Sequence, residues 1–185
     1  MLIRRYIFGL VFLVSSSFAL SNTEFTFRLL GGHVGAGIEL TGCVESCPSD
    51  LVIPSEIDEK RVLSIGEGAF SSWGLNSVNL PEYLLSIGGS AFLYNNLTSV
   101  EIPSGVNFIG GHAFDNNKLT TLEIPTSISI IHESAFRRNQ IEAVTIPSNV
   151  RGIRANAFKD NKIGNVSPIG DAVAMLPPIV PTFRI

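Results

Sequence analysis

Apolar residues return along this chain with a fixed period of 22 residues. The dipeptide Ala-Phe occurs at five evenly spaced places, which are Ala69-Phe70, Ala91-Phe92, Ala113-Phe114, Ala135-Phe136 and Ala157-Phe158. A period between 20 and 50 residues is typical of a solenoid, because one short unit cannot bury its own apolar face but stacked units share a continuous core.

Four further apolar columns keep the same spacing. An Ile stands five residues before each Phe, from Ile65 to Ile153, and an aliphatic residue stands eight before it, from Val62 to Val150. The other two columns follow each Phe by five and eight residues, from Leu75 to Ile163 and from Val78 to Val166. These columns and the alanines are predicted to form the core, whereas the variable polar residues between them are predicted to face solvent.

Prolines mark the end of a strand in each unit. Pro81, Pro103, Pro125 and Pro147 each follow an Ile or Leu, and proline lacks the N–H that a strand ladder needs. We therefore predict a strand of about three to five residues before each of them. Five extra residues between Pro54 and Val62 are predicted to lie in a turn, where added length costs little.

The repeating unit reads Pro-x-x-Val-x-x-Ile-Gly-x-x-Ala-Phe-x-x-Asn-x-Leu-x-x-Val-x-Ile, and Leu97-Thr98-Ser99-Val100-Glu101-Ile102 supplies its L-x-x-L-x-L core. From about Leu51 to Pro168 it resembles the BspA-like leucine-rich repeat of secreted and surface proteins. The resemblance implies a β-rich right-handed solenoid of about five 22-residue coils, with short parallel strands and little regular helix. It also implies a binding protein rather than an enzyme.

The first residues have the layout of a secretory signal peptide. Arg4 and Arg5 precede an apolar run from Tyr6 to Val14, and a stretch of small and polar residues follows. We expect cleavage after Ala19 or Ser21 and no transmembrane span in the mature chain, because the run is far shorter than the ~20 residues that cross a bilayer. An uncleaved anchor is the alternative. The predicted location is extracellular or on the cell surface, with the periplasm as a further possibility.

Segments with a different pattern flank the repeats. Phe25, Phe27 and Leu29 alternate with polar residues, which predicts a strand of a capping hairpin within residues 22–54. The resulting division is a signal peptide at 1–21, a capping hairpin at 22–54, repeats at 55–168 and an apolar C-terminal cap or tail at 169–185. Solenoids need such atypical ends to cover the exposed faces of their terminal units.

The two cysteines, Cys43 and Cys47, are predicted to form a disulfide. An even number of cysteines behind a secretion signal favours that pairing. Free or metal-bound thiols remain the alternative, although zinc would need four ligands and no histidines are grouped nearby.

The charge of the chain is mild overall but uneven. The net charge is −3, and residues 22–125 hold 4 basic and 12 acidic residues whereas residues 126–185 hold 7 basic and 4 acidic ones. Mild acidity argues against a dedicated nucleic-acid binder. The basic residues of the last two repeats form either a solvated face or a site for an anionic partner. This basic flank consists of Arg137, Arg138, Arg151, Arg154, Lys159 and Lys162.

No motif for catalysis, cofactor binding or metal binding is recognisable. The chain has no phosphate loop or nucleophile elbow, and His112 and His132 stand at loop positions with different neighbours. We therefore expect no enzymatic activity, cofactor or metal. The glycosylation sequons at Asn96 and Asn165 would matter only in a eukaryotic secretory route, and chance explains them better.

The strands should present one exposed strip of side chains that do not contribute to the core. Residues flanking the buried column of each strand point outward by strand alternation, and a repeat protein can place recognition there. This recognition strip consists of Ser77, Asn79, Ser99, Glu101, Thr121, Glu123 and Thr145. We expect a monomer that binds a protein or glycan partner, with a structural envelope scaffold as the alternative.

Overall fold

In the computed structural model, which describes residues 25–31 and 37–168, the chain is built from thirteen short strands. No helix occurs in this part of the chain, as predicted. The strands are β1 (Phe25–Leu29), β2 (Ile38–Cys43), β3 (Asp50–Val52), β4 (Glu56–Ile57), β5 (Lys60–Ile65), β6 (Ser77–Asn79), β7 (Ser86–Ile87), β8 (Phe108–Ile109), β9 (Thr121–Glu123), β10 (Ile130–Ile131), β11 (Ala143–Ile146), β12 (Gly152–Ile153) and β13 (Asn165–Pro168).

The coils stack with parallel strands on two faces. The first face carries β3 beside β6, and then β9, β11 and β13 in that order. The second face carries β2, β5, β7 and β8, followed by the separate pair β10 and β12. Neighbouring strands from β5 onward pair residues 22 positions apart, such as Ile87 with Ile109 and Val144 with Val166. The predicted solenoid of short parallel strands is therefore confirmed.

One coil departs from the predicted strand pattern. Residues 99–101 form no strand, so the ladder of the first face is interrupted between β6 and β9. Adjacent backbone bonds hold this coil in place, from Asn96 N–H to the Leu75 carbonyl and from Thr120 N–H to the Thr98 carbonyl. Pairing between β7 and β8 also continues across it on the second face, so the stack remains joined where the first ladder is broken.

The Ala-Phe dipeptides form the third side of each coil. A regular backbone ladder joins them, in which each Phe N–H donates to the Ala carbonyl one coil later at 2.8–2.9 Å; the donors are Phe70, Phe92, Phe114 and Phe136. Their rings stack at centroid distances between 5.2 and 5.7 Å. This spacing is slightly wider than the ~4.8 Å between strands, so one ring per coil fills the core continuously.

The Asn column is also structural. Asn117 is buried, and its side-chain Nδ2 donates to the carbonyls of Phe92 and Phe114 at 2.8 and 3.2 Å. Its Oδ1 accepts the Leu97 N–H at 3.1 Å, and Asn95, Asn139 and Asn161 repeat the pattern. Each Asn thus satisfies backbone groups of its own coil and the preceding one, which explains why the sequence keeps this polar residue at a core position.

The N-terminal end is covered by the predicted hairpin. β1 pairs antiparallel with β2, and Phe25 packs edge-on against Phe70 with 6.3 Å between ring centroids. β2 in turn pairs parallel with β5, so the hairpin continues directly into the stack. The predicted disulfide between Cys43 and Cys47 is present beside it. The predicted signal peptide and the C-terminal segment 169–185 lie outside the described residues.

The extra residues before Val62 form a tight hairpin, as the turn prediction requires. β4 pairs antiparallel with the start of β5. Asp58 and Glu59 connect them with φ angles of 51° and 60°, the left-handed pair of a two-residue hairpin turn. The inserted residues therefore project from the coil as a hairpin and do not shift its core columns.

Two columns of variable sequence share a fixed backbone conformation. Positions 72, 94, 116, 138 and 160 all have φ between 51° and 62°, and positions 90, 112, 134 and 156 lie between 54° and 59°. The residues at these positions include Ser, Tyr and Arg. The sequence therefore varies, whereas the left-handed backbone conformation is the same in every coil. The backbone at these positions is therefore constrained although the side chains vary.

Replacing Tyr94 by glycine is expected to leave the protein as stable or to stabilise it by up to about 1 kcal/mol. Tyr94 is exposed and has a φ of 57°. Left-handed geometry costs a non-glycine residue roughly 1–2 kcal/mol, which outweighs the added chain entropy of glycine at ~0.5–1 kcal/mol. Thermal unfolding measures the change. Tyr83→Gly, at a position without positive φ, is the control, and an equal loss of stability in both variants would contradict the prediction.

Candidate functional site

The structure exposes every residue of the predicted recognition strip. Ser77 and Asn79 lie on β6, Thr121 and Glu123 on β9, and Thr145 on β11. Ser99 and Glu101 are exposed as well, but they lie on the coil that forms no strand. The strip therefore faces solvent throughout. Its residues lie on β6, on β9 and β11, and on the coil between them that forms no strand.

The acidic part of the strip contains uncompensated charge. Glu101 and Glu123 make no ion pair within the part of the chain that the structure describes, and both are exposed. At the N-terminal edge, Ser77 instead donates a hydrogen bond of 2.7 Å to Asp50 of β3. Two unpaired carboxylates on one face are suited to a basic group of a partner, with an attraction that salt would weaken.

A shallow hollow lies beside the C-terminal half of the strip. It has a volume of about 450 Å³ and opens where β9 and β11 end. Strip residues Glu123 and Thr145 belong to its wall, so a partner side chain in the hollow would lie against both. The lining residues are Leu122, Glu123, Ile124, Thr126, Thr145, Pro147 and Ser148.

The structure does not bring the predicted basic flank together as one surface. Arg137 and Arg138 follow the Phe136 turn, and their Nε atoms lie 3.5 and 3.8 Å from the same Asp160 carboxylate oxygen. The Lys162 ammonium donates to the Gln140 amide oxygen at 3.2 Å. Part of the positive charge is thus compensated locally.

The remaining members of the basic flank occupy other positions on the coil. Arg151 and Arg154 immediately precede and follow β12 on the second face, whereas Lys159 lies on the Ala-Phe side. All three are exposed. The six residues therefore share the last two coils but are spread over different sides of the stack.

The sequence analysis did not single out an exposed apolar surface on the second face. Tyr83, Leu85 and Phe108 are 36–43% exposed, and Ile130, which follows Phe108 by one period of the repeat, is half-buried. Exposed apolar side chains that lie together mark interaction surfaces more often than scattered ones do. On this face, two residues stand between the core columns of each coil, and they point outward. Apolar residues at these positions were the signal from which the sequence could have predicted an exposed apolar surface. We refer to Tyr83, Leu85, Phe108 and Ile130 as the apolar patch.

Charged and polar groups contact the rings of the apolar patch. The Arg61 guanidinium lies 4.3 Å from the centre of the Tyr83 ring, and the Phe108 and His132 rings are 5.0 Å apart. A hydrogen bond to the Glu82 carboxylate, together with its negative charge, raises the pKa of Tyr83. The patch therefore combines aromatic surface with nearby charge of both signs.

His112 and His132 have ordinary structural partners. His112 Nδ1 lies 2.9 Å from the Asp115 carboxylate, and His132 packs on Phe108. Within residues 25–31 and 37–168, no three potential metal ligands lie together. The same residues include no helix with the length and apolarity that a bilayer crossing requires.

Comparison with known proteins identifies the repeat. A family model described as a BspA-type leucine-rich repeat region matches residues 50–169 in six copies. The structure of a leucine-rich repeat protein from T. pallidum is similar at a TM-score of 0.62 and 24% identity, covering 77% of this chain and 67% of that one. No curated protein matches the chain.

Two further solved structures share the fold at lower identity. A leucine-rich cell surface protein from Faecalibacterium prausnitzii has a TM-score of 0.51 and 18% identity, covering 83% of this chain and 55% of that one. A leucine-rich repeat protein from Bacteroides ovatus has a TM-score of 0.50 and 19% identity, covering 82% and 53%. This chain therefore spans about half the length of these two proteins.

Proposed function

Because this chain belongs to the BspA-type leucine-rich repeat family, we propose that it is a secreted or cell-surface binding module without catalytic activity. Its partner is a protein or a glycan outside the cell. The single observation that carries this function is the recognition strip, in which exposed polar side chains repeat along a rigid stack while the buried columns hold the fold. A stack of this kind offers an extended surface at little conformational cost to the protein.

Secretion is supported by the sequence of residues 1–21. Two arginines, an apolar run and small residues before Asn22 fit a cleaved signal peptide. The disulfide between Cys43 and Cys47 is consistent with an oxidising compartment. We further propose that the mature protein acts as a monomer, since the hairpin covers one end of its core and residues 169–185 are available for the other.

Glu101 and Glu123 are the side chains that we assign to a basic group on the partner. Replacing both by alanine is expected to weaken binding roughly ten-fold, which corresponds to about 1.4 kcal/mol. The melting temperature should stay nearly unchanged, because both carboxylates are exposed and make no ion pair in the described part of the chain. Raising the salt concentration should weaken the wild type more than the double variant.

The experiment first identifies a partner by screening the mature protein against arrays of extracellular proteins and glycans. Titration of the wild type and the Glu101→Ala/Glu123→Ala variant then measures the two dissociation constants. The matched control is Glu67→Ala/Glu133→Ala, another pair of exposed carboxylates, which lies outside both the strip and the hollow. Equal affinities of the wild type and the Glu double variant for every captured partner would overturn the assignment of the strip.

Two comparison variants locate the surface if the strip is not responsible. Loss of binding on replacing Arg137, Arg138 and Lys159 would assign recognition to the basic flank and an anionic partner. Loss on the changes Leu85→Ser and Phe108→Ser would assign it to the apolar patch. If no array component binds and the protein assembles with itself into regular layers, the alternative of an envelope scaffold is favoured.

A further inference from the structure

Two exposed aromatic residues lie close together on the Ala-Phe side of neighbouring coils. Trp73 is 37% exposed and Tyr94 is 51% exposed. On one side of them, the Ser72 N–H donates to the Leu93 carbonyl at 2.8 Å. On the other side, the Asn96 side chain donates to the carbonyl of the residue after Trp73 at 3.4 Å. These two bonds hold the segments that carry the rings against each other, and we refer to Trp73 and Tyr94 as the aromatic pair.

The fold requires neither ring. Tyr94 has a φ of 57°, a conformation that glycine adopts at lower cost. Trp73 stands in the column of Asn95, whose amide bonds to the Phe70 carbonyl of the preceding coil. The coil of Trp73 has no earlier Ala-Phe unit before it, and its ring is exposed rather than packed in the core. Residues that the fold does not favour often mark functional sites.

The surroundings of the aromatic pair are almost free of charge. Within residues 68–100, which include both rings, the only acidic or basic residue is Glu82. Its carboxylate bonds to Tyr83 of the apolar patch, on the second face. A ligand on the aromatic pair therefore gains little from carrying charge, which favours an uncharged one.

Hydroxyl and amide groups border the two rings. Ser72 is exposed immediately before Trp73. The Tyr94 N–H donates to the Asp115 carbonyl at 3.1 Å, which places the half-buried Asn116 one coil further along. A side-chain amide both donates and accepts hydrogen bonds, and so does a hydroxyl. Such groups match the hydroxyls at the rim of a sugar ring.

The size of the aromatic pair suits a few sugar rings rather than a protein. At the exposed fractions of Trp73 and Tyr94, the two side chains offer roughly 200 Å², whereas a specific protein complex buries ~800 Å² on each partner. Neighbouring coils place their Phe rings 5.2–5.7 Å apart, a distance close to the width of one sugar ring. Successive sugars of an extended chain can therefore meet successive coils.

We propose that the aromatic pair is a second binding site, for an uncharged glycan whose sugar rings carry equatorial substituents, such as β-linked glucose, xylose or N-acetylglucosamine. The apolar C–H face of such a ring packs on Trp73 or Tyr94, and its hydroxyls bond to Ser72 and Asn116. The ladder bonds hold the backbone in place, so binding orders little of the protein. The site is separate from the recognition strip, and it rests on the proposed function only for a location outside the cell, where such glycans occur.

Tryptophan fluorescence reports on this site directly, because Trp73 is the only tryptophan of the chain. The mature protein is titrated with cellohexaose, xylohexaose and chitohexaose. We expect at least one of them to change the emission along a saturable curve, with an affinity that salt does not alter because the ligand is uncharged. No saturable change with any of the three sugars would overturn the proposal, as would an affinity that falls steeply with salt.

The variant Tyr94→Gly separates binding from folding, since glycine suits the left-handed backbone there. We expect its dissociation constant for the bound hexasaccharide to rise at least ten-fold while its melting temperature does not fall. Tyr94→Phe keeps the ring and should bind like the wild type. The matched control is Tyr83→Ala, which removes an exposed tyrosine from the apolar patch and should leave the affinity unchanged. Equal affinities of the wild type and Tyr94→Gly would contradict the site.

The Glu101→Ala/Glu123→Ala variant distinguishes this site from the recognition strip. It should bind the hexasaccharide like the wild type, and Tyr94→Gly should bind the partner of the strip like the wild type, so either assignment can fail alone. A protein ligand is the competing occupant of the aromatic pair. If no hexasaccharide binds, and both Trp73→Ala and Tyr94→Gly abolish the capture of an extracellular protein, the aromatic pair is a protein contact and the glycan site is wrong.

Discussion

Replacing Phe114 by alanine should lower the free energy of unfolding by ~3–5 kcal/mol, the usual cost of removing a fully buried Phe. Phe114 has no exposed surface, and its ring stacks between Phe92 and Phe136 with centroid distances of 5.2 and 5.6 Å. The neighbouring rings are held by their own backbone ladders, so they cannot collapse into the space. Urea denaturation followed by circular dichroism measures the change.

The control for this change is Lys118→Ala. Lys118 lies four residues further along the same coil, is exposed, and should contribute less than ~0.5 kcal/mol. A loss of 3 kcal/mol is a large part of the 5–15 kcal/mol by which typical domains are stable, so Phe114→Ala should be visibly sensitive to denaturant. If the two variants unfolded at the same urea concentration, the assignment of Phe114 to the central core column would be wrong.

Replacing Asn117 by alanine should cost ~2–3 kcal/mol although it removes no apolar contact. The carbonyls of Phe92 and Phe114 would keep the amides of Asn95 and Asn139 as donors. The buried Leu97 N–H would lose its bond to Asn117 Oδ1, and an unpaired buried donor costs roughly 1–3 kcal/mol. The small cavity adds to this loss. Chemical denaturation again provides the measurement.

Two further variants test whether hydrogen bonding causes the Asn117 effect. Asn107→Ala makes the same chemical change at an exposed position and should cost less than ~0.5 kcal/mol. Asn117→Asp keeps an acceptor for Leu97 N–H but places a carboxylate beside two backbone carbonyls, so it should destabilise at least as much as alanine. Wild-type stability in Asn117→Asp would contradict the role of the side-chain amide.

The period of the sequence was sufficient to predict the stack, because each column combines one residue type with one position on the coil. The predicted core columns from Ile65 to Ile131 and from Phe70 to Phe136 are all buried. Their spacing alone could not show that the stack carries strands on two faces. That property depends on backbone pairing across coils, as between Ser64 and Ser86.

The candidate surfaces were only partly predictable. Strand alternation placed Glu123 and Thr145 outward, and both are exposed. Alternation assumes a strand, however, and it could not anticipate that residues 99–101 lack one. Counting charges grouped Arg137 with Arg154, whereas the coil directs them to different sides, because proximity in sequence does not determine proximity around a solenoid.

The positive φ angles of the two left-handed columns could not be predicted from the sequence, for a different reason. Sequence methods associate positive φ with glycine, but Tyr94, His112 and Arg138 adopt it here. The ladder bonds on either side fix the backbone at these positions, such as Tyr94 N–H to the Asp115 carbonyl at 3.1 Å. The hydrogen bonds to the neighbouring coils thus hold these residues in a conformation that non-glycine residues rarely adopt.

The in-register stacking of the coils has a consequence for how such a protein can change in evolution. Each coil bonds to the next through groups 22 positions away, as in the ladder from Phe92 N–H to the Ala113 carbonyl. Duplicating or deleting one whole unit recreates the same junction, whereas losing a single residue would move every downstream Phe out of its column. Genes for this architecture can therefore lengthen or shorten by whole units, and the reach of the molecule becomes a heritable trait that varies in steps of one coil.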